Sequence, residues 1–385
     1  MPDYDLVISG GTVVDPSQDL SDRRDVAIND GLIAAVEPRI EHERAAKLLD
    51  ATGLLVTPGL VDVHVHVYPG VSHYGVEPDA DVLTSGVTTA LDAGSAGAST
   101  FDGLRRYVID VSATRLLACL NISGLGMVSP DVGELEDIRW ADPAAAVRVC
   151  ERHRDVIVGI KIRLSRTLAG DNALPALRNA REAADAVGLP VMVHPQDAVI
   201  GIDQILRELK AGDLVTHCYH GRAGGVLDAD GRVRASVRDA VHRGIRFDVG
   251  HGQGSFDFTV AERALAQDLP PHTISSDLHA HNIEGPVFDL ATTLSKFLLL
   301  GLDLPAALRR CTVTPADFLG LSGQIGTLAP GAHADLALFR EETGAHPFTD
   351  SVGQIRTGER RLVPVKVVKA GRVIDALDRF GRHQH

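Results

Sequence analysis

Apolar residues recur along this chain in two rhythms. From Asp5 to Thr57, and again from Asp335 to Ile374, short β-branched runs alternate with Gly, Asp and Pro turns. Runs at 5–14, 25–29, 32–36 and 54–57, then at 335–339, 364–369 and 372–374, read as strands. Each end alone has too few strands to bury a face, so the two ends are expected to build one small β-sandwich, residues 1–58 with 331–385.

Between the ends, strand-like runs alternate with helical ones. Strands are predicted at 60–67, 88–93, 115–122, 156–163, 190–194, 213–217, 245–249 and 273–276. Helices are predicted at 142–154, 174–187, 198–210, 233–243 and 258–267. Eight such units over residues 59–330 predict an α/β fold with a (β/α)8 TIM barrel. A doubly wound open sheet is the competing architecture. It lacks support because no Gly-rich nucleotide fingerprint follows the early strands.

Composition adds boundaries to this reading. The chain has 385 residues, 44% hydrophobic and 23% charged, with a formal net charge of −13. That charge, without a visible basic patch, argues against nucleic acid or an anionic membrane as partner and towards small molecules. Oligomeric state is left open, a homo-oligomer included. Cys119, Cys150, Cys218 and Cys311 show no paired spacing, so neither a disulfide framework nor a Cys-based zinc site is indicated. No apolar run approaches the ~20 residues of a membrane span, and the N-terminus lacks a basic segment followed by an apolar one. These features lead to the expectation of a cytoplasmic protein.

The chemistry is expected where barrel strands end. In Leu60-Val-Asp-Val-His64-Val-His66 the two histidines are two apart on a strand and so share a face. Strand four carries Lys161 and Arg163, strand five ends at His194, strand six at His217 and strand eight at Asp277. Each alone has an ordinary reading, a hydrogen-bonded histidine or a helix-capping aspartate. Together they place four imidazoles, an amine and a carboxylate on one rim. Lys161 sits among Val158, Ile160 and Ile162, where burial favours the neutral amine, which can add carbon dioxide to form a two-oxygen carbamate. The alternative is a buried lysine paired with a carboxylate.

Several longer stretches share one resemblance. They are Pro58-Gly-Leu-Val-Asp-Val-His64-Val-His66, Gly86-Val-Thr-Thr with Asp92-Ala-Gly-Ser-Ala-Gly97, Gly159-Ile-Lys161, Thr216-His217-Cys-Tyr-His-Gly221, Asp248-Val-Gly-His-Gly-Gln-Gly-Ser-Phe256 and Ser276-Asp277-Leu-His-Ala-His-Asn282. In these the chain resembles the amidohydrolase superfamily, and within it the dihydroorotase-like deacetylase group of binuclear metallohydrolases. The resemblance implies that His64, His66 and Asp277 hold one divalent metal and His194 and His217 a second. Carbamylated Lys161 would bridge them. Zinc is the default, with manganese, iron and cobalt open. It further implies hydrolysis of an amide or ester, as an N- or O-deacetylase, with Asp277 as the proton-transferring residue. Cyclic-amide hydrolysis and a non-catalytic scaffold are the alternatives.

Substrate contacts are expected from Arg163, which shares a face with Lys161 and could clamp a carboxylate or form an ion pair. Tyr219, His220, His251 and His279 are further candidates from the rim loops, and His73 and Tyr74 from a first-loop lid.

Overall fold

The computed structural model describes residues 2–383. Fifteen strands are present: β1 (Leu6–Asp15), β2 (Leu20–Asn29), β3 (Leu32–Glu37), β4 (Leu48–Asp50), β5 (Leu55–Pro58), β6 (Leu60–Val65), β7 (Val87–Gly97), β8 (Arg115–Asn121), β9 (Ile157–Arg163), β10 (Val191–His194), β11 (Leu214–Val215), β12 (Arg246–Phe247), β13 (Leu336–Thr349), β14 (Ile355–Lys369) and β15 (Arg372–Asp375).

Seven of them, β6 to β12, lie side by side in chain order as one parallel sheet. All six residues of β6 and all eleven of β7 are buried, as expected of strands covered on both faces. The eighth predicted strand is an extended segment held by single bridges. Thr273 pairs with Asp248 beyond β12, and Leu278 pairs with Val65 of β6. Asp277 N–H donates to His64 O at 2.7 Å and His66 N–H to Leu278 O at 3.0 Å. The segment therefore joins the last strand to the first and closes the ring.

The helices outside the ring follow local rules. Asp142 caps Pro143–Arg152 by accepting Ala145 N–H, and Pro143 occupies the first turn where no donor is needed. Ala173–Val187 buries Ala176, Leu177, Ala180, Ala183 and Ala184 at helical spacing and stops at Gly188, whose φ is +70°. The predicted helices at 198–210 and 233–243 shorten to Ile202–Glu208 and Ala235–His242.

The chain ends meet in one eight-stranded sheet, β15-β14-β13-β5-β1-β2-β3 with β4 on β1. Strand pairing thus defines a single sheet where the sequence reading expects a two-sheet sandwich. Its central contact is antiparallel, Leu336 opposite Pro58, and β5 runs directly into the first barrel strand. Two features go unforeseen. The β13–β14 hairpin is far longer than predicted, because residues 340–362 are mostly polar. Its distal part lies on the barrel, where Phe348 and Leu362 join the barrel's apolar core. Helix Leu290–Leu299 is buried along nearly its whole length, and Ser295 Oγ accepts Leu362 N–H at 3.0 Å.

Candidate metal centre

The polar residues at the strand ends converge on a cavity of about 190 Å³ lined by His64, His66, Lys161, His194, His217 and Asp277, together with Tyr74, Arg163, Gln253, Gly254, Ser255 and His279. Asp277 Oδ1 lies 3.3 Å from His64 Nε2 and 3.2 Å from His66 Nε2. Lys161 Nζ lies 3.3 Å from His64 Nε2. The His64 and His217 rings are 5.0 Å apart, those of His194 and His217 4.4 Å. Ligand atoms of His64, His217 and Asp277 all fall within 4.8 Å of one another. His217 and Asp277 both adopt left-handed backbone, at φ +61° and +50°. Non-glycine residues rarely do so, and here the turn aims each side chain inward at the end of its strand.

Outer contacts settle the orientation of the rings. Asp248 accepts hydroxyl hydrogens from Thr216 (2.8 Å), Thr273 (2.6 Å) and Ser275 (2.7 Å). Thr216 has then spent its hydrogen, so its oxygen accepts from His64 Nδ1–H at 2.8 Å, leaving the Nε2 lone pair for the cavity. His217 Nδ1–H donates to Gly250 O at 2.7 Å with the same result. His66 Nδ1 meets Ser95 Oγ at 2.9 Å, and His194 Nε2 meets Ser165 Oγ at 3.1 Å, which leaves Nδ1 free on His194. Burial holds all four imidazoles neutral: it pushes His66 and His217 down to about 3, and His64 and His194 well below the usual value. Neutral imidazole is the metal-binding form.

Lys161 is fully buried, yet its amine meets only His64 Nε2 and, at 3.5 Å, Met192 Sδ. The carboxylate hydrogen bond of the alternative reading is not formed among the described residues. Burial lowers the amine to about 8. Gly94, at φ +90°, lets β7 press on its stem, since a Cβ there would stand 2.6 Å from Lys161 Cβ and Cγ. Four neutral imidazoles, a carboxylate and an amine with only two long contacts are a donor set that fits divalent cations better than it fits itself.

The substrate candidates divide. His279 lines the cavity, with its ring 4.8 Å from Tyr74. Arg163 also lines it, but its Nη2 pairs with buried Glu134, so the ion pair is present, and its Nε is left without a partner. Tyr219 is buried behind the wall, donating to Leu269 O at 2.6 Å. His251 is wholly buried, with Nδ1–H donating to Gly252 O and its ring stacked on Phe256. His220 faces a separate cavity with Gly221–Gly225. None of these three lines the cavity that gathers the imidazoles, where the sequence reading expects substrate contacts from them. The glycines around His251 make room for two of the cavity's side chains: a Cβ on Gly250 would stand 2.8 Å from His217 Nδ1, and one on Gly252 2.4 Å from Asp277 Oδ2. Glu134, Gln253 and Ser255 were not singled out from the sequence. The last two stand in the same Gly-rich stretch, which is the signal that could have found them.

A barrel that gathers neutral imidazoles, a carboxylate and a buried amine at its strand ends defines a metal-dependent hydrolase. The amidohydrolase family model matches residues 55–374, and the chain belongs to that family, whose members bind divalent metals. It is 34% identical to a deacetylase of Agrobacterium fabrum over 363 residues (92% of this chain, 89% of that one). It is also 34% identical to a deacetylase of Enterococcus faecalis over 378 residues (97% and 100%). Among solved structures it resembles an adenine deaminase (34% identity, TM-score 0.90, covering 97% of this chain and 100% of that one) and a dihydroorotase (33%, 0.88, 96% and 97%). The chain is therefore a hydrolytic enzyme, acting on small molecules. No helix among the described residues is long and apolar enough to cross a membrane.

Proposed function

We propose that this enzyme is a binuclear deacetylase that cleaves an acyl amide or ester of a small carboxylate-bearing molecule. The observation that carries this reading is the buried Lys161 amine, bonded to no carboxylate or carbonyl among the described residues, amid four neutral imidazoles and Asp277. His64, His66 and Asp277 would hold one cation, zinc by ligand type, and His194 and His217 the other. Lys161 would bridge them as its carbamate. When bound, the cations supply an acidified water and a polarised scissile carbonyl.

The chain's own residues do the rest. Asp277 takes the proton of the attacking water and returns it to the leaving nitrogen or oxygen. Tyr74, Gln253, Ser255 and His279 offer the polar contacts that orient substrate within a cavity sized for a small acyl acid. Arg163 lines the cavity and offers its guanidinium to a substrate carboxylate while Glu134 fixes its Nη2 end. Arg163→Met together with Glu134→Gln, which avoids leaving a buried charge unpaired, should cost about 2–5 kcal/mol in kcat/KM for an anionic substrate. Hydrolysis of a neutral ester should hardly change, and equal losses for both would remove the clamp.

Elemental analysis after expression with zinc should find close to two ions per chain. A screen of N-acetyl amino acids, acyl hydroxy acids and cyclic amides should favour the first two classes. A reproducible content of one ion or none ends the binuclear reading. Turnover of cyclic amides alone would replace the deacetylase with a cyclic-amide hydrolase, and full metal without turnover of any class would mean a scaffold.

A further inference from the structure

Lys296 lies in the middle of helix Leu290–Leu299 and is wholly buried. Unlike Lys161 it is saturated: its amine donates to Pro286 O, Thr349 O and His251 Nε2, each at 2.8 Å. His251 Nδ1–H passes the contact on to Gly252 O at 2.9 Å. The stretch from Gly250 to Gly252 touches two ligand residues, since Gly250 O receives His217 Nδ1–H at 2.7 Å and Gly252 packs on the Asp277 carboxylate. From the far side the tip of the β13–β14 hairpin docks on the same stretch. Ser351 Oγ donates to Gly252 O at 2.9 Å, Ser351 N–H to Phe256 O at 2.9 Å, and Asp350 accepts Phe258 N–H at 3.0 Å.

We propose that Lys296 and His251 form a positioning strut, which uses the docked hairpin tip to hold His217 and Asp277 in ligand geometry. The inference rests on the metal-centre reading and adds residues that touch neither metal nor substrate. A lysine amine in hydrogen-bond contact with three groups ties three chain segments together: the loop at Pro286, the hairpin at Thr349 and the ligand-bearing loop at His251. Removing it frees Gly250 and Gly252 to drift, and a ligand displaced by a fraction of an ångström binds its ion less well.

The test is zinc affinity by chelator competition on the full chain, read beside urea unfolding of the metal-free protein. Lys296→Met and His251→Leu should each weaken zinc about 10–100-fold, the usual scale for residues that orient metal ligands. The double variant should be little worse than either single one, because both break the same chain of contacts. Lys369→Met is the control: it removes another buried lysine, which bonds Asp335 at 2.7 Å on the end sheet, and should lower stability while leaving zinc affinity unchanged. Should Lys296→Met not fold, Ser351→Ala, which deletes one hydroxyl at the docking point, should still weaken zinc several-fold. Wild-type zinc affinity in the folded strut variants would overturn the strut, as would equal weakening by Lys369→Met. A wild type that takes up no zinc is a different result, and ends the metal reading itself.

Discussion

Two regions of the barrel each enclose a lysine with no solvent exposure, and they treat it in opposite ways. Around Lys296 two carbonyls and an imidazole nitrogen stand at 2.8 Å, so the amine's bonding capacity is used up by the fold. Around Lys161 the neighbours are one imidazole nitrogen at 3.3 Å and a thioether sulfur. Burial lowers both amines, to about 7 and about 8. What separates the two lysines is therefore the number and kind of acceptors around each. An amine buried at a strand end with so few acceptors is costly to the fold and fits a place where something else binds.

The sharpest way to break this contrast is Lys161→Ala. Turnover should fall to background with loss of metal, and a short carboxylic acid should restore part of both by standing in for the carbamate. A fully active variant would make Lys161 an ordinary core residue. Next in size is Asp277→Asn, which should keep some metal yet lose about 100-fold or more in kcat, the range of general acid-base groups. Normal turnover would move proton transfer elsewhere.

Stability of the metal-free protein sharpens the comparison from the other side. Lys296→Met strands three acceptors and should lower the unfolding free energy in urea by about 1–3 kcal/mol or more. Lys161→Met removes an amine that has almost no partners and should be neutral or stabilising. Equal losses would erase the distinction.

The smallest effect is one of pH. The folded Lys296 amine titrates near 7 against an ordinary 10.5, so from pH 7 upwards the unfolded chain holds a proton that the folded one lacks. Stability therefore rises with pH across that window and is flat below it, where both states are charged. The melting temperature of metal-free protein at pH 7 and 9 should rise less in Lys296→Met than in the wild type.

How much of this could be read from the chain varies with the range of the interaction. The gathering of His64, His66, Lys161, His194, His217 and Asp277 on one rim was legible from a strand's two-residue period and the barrel's polarity, while their reading as ligands came from the family resemblance. Arg163 was correctly placed on the same face, but its partner Glu134 comes from a loop 29 residues earlier that no local pattern links to it. Tyr219 looked like a rim residue because it follows His217 into the sixth loop, and His251 because glycines surround it. In space those glycines yield room to the ligands, and both side chains turn into the core. Lys296 was overlooked although a lone cation in Phe288-Asp-Leu-Ala-Thr-Thr-Leu-Ser-Lys-Phe-Leu-Leu-Leu300 is itself a signal. The hairpin was half seen, because its polar middle follows no period that distinguishes a strand from a loop.

The segment that closes the ring also carries Asp277, and it is joined to its neighbours by single bridges where the other staves share ladders. Shutting the barrel and bringing Asp277 to His64 and His66 are therefore one event. On the proposed ligand set, a cation held by His64 and His66 on the first stave and by Asp277 on the last would act as a clasp across the seam, so a chelator should both stop turnover and loosen the cylinder along the same line.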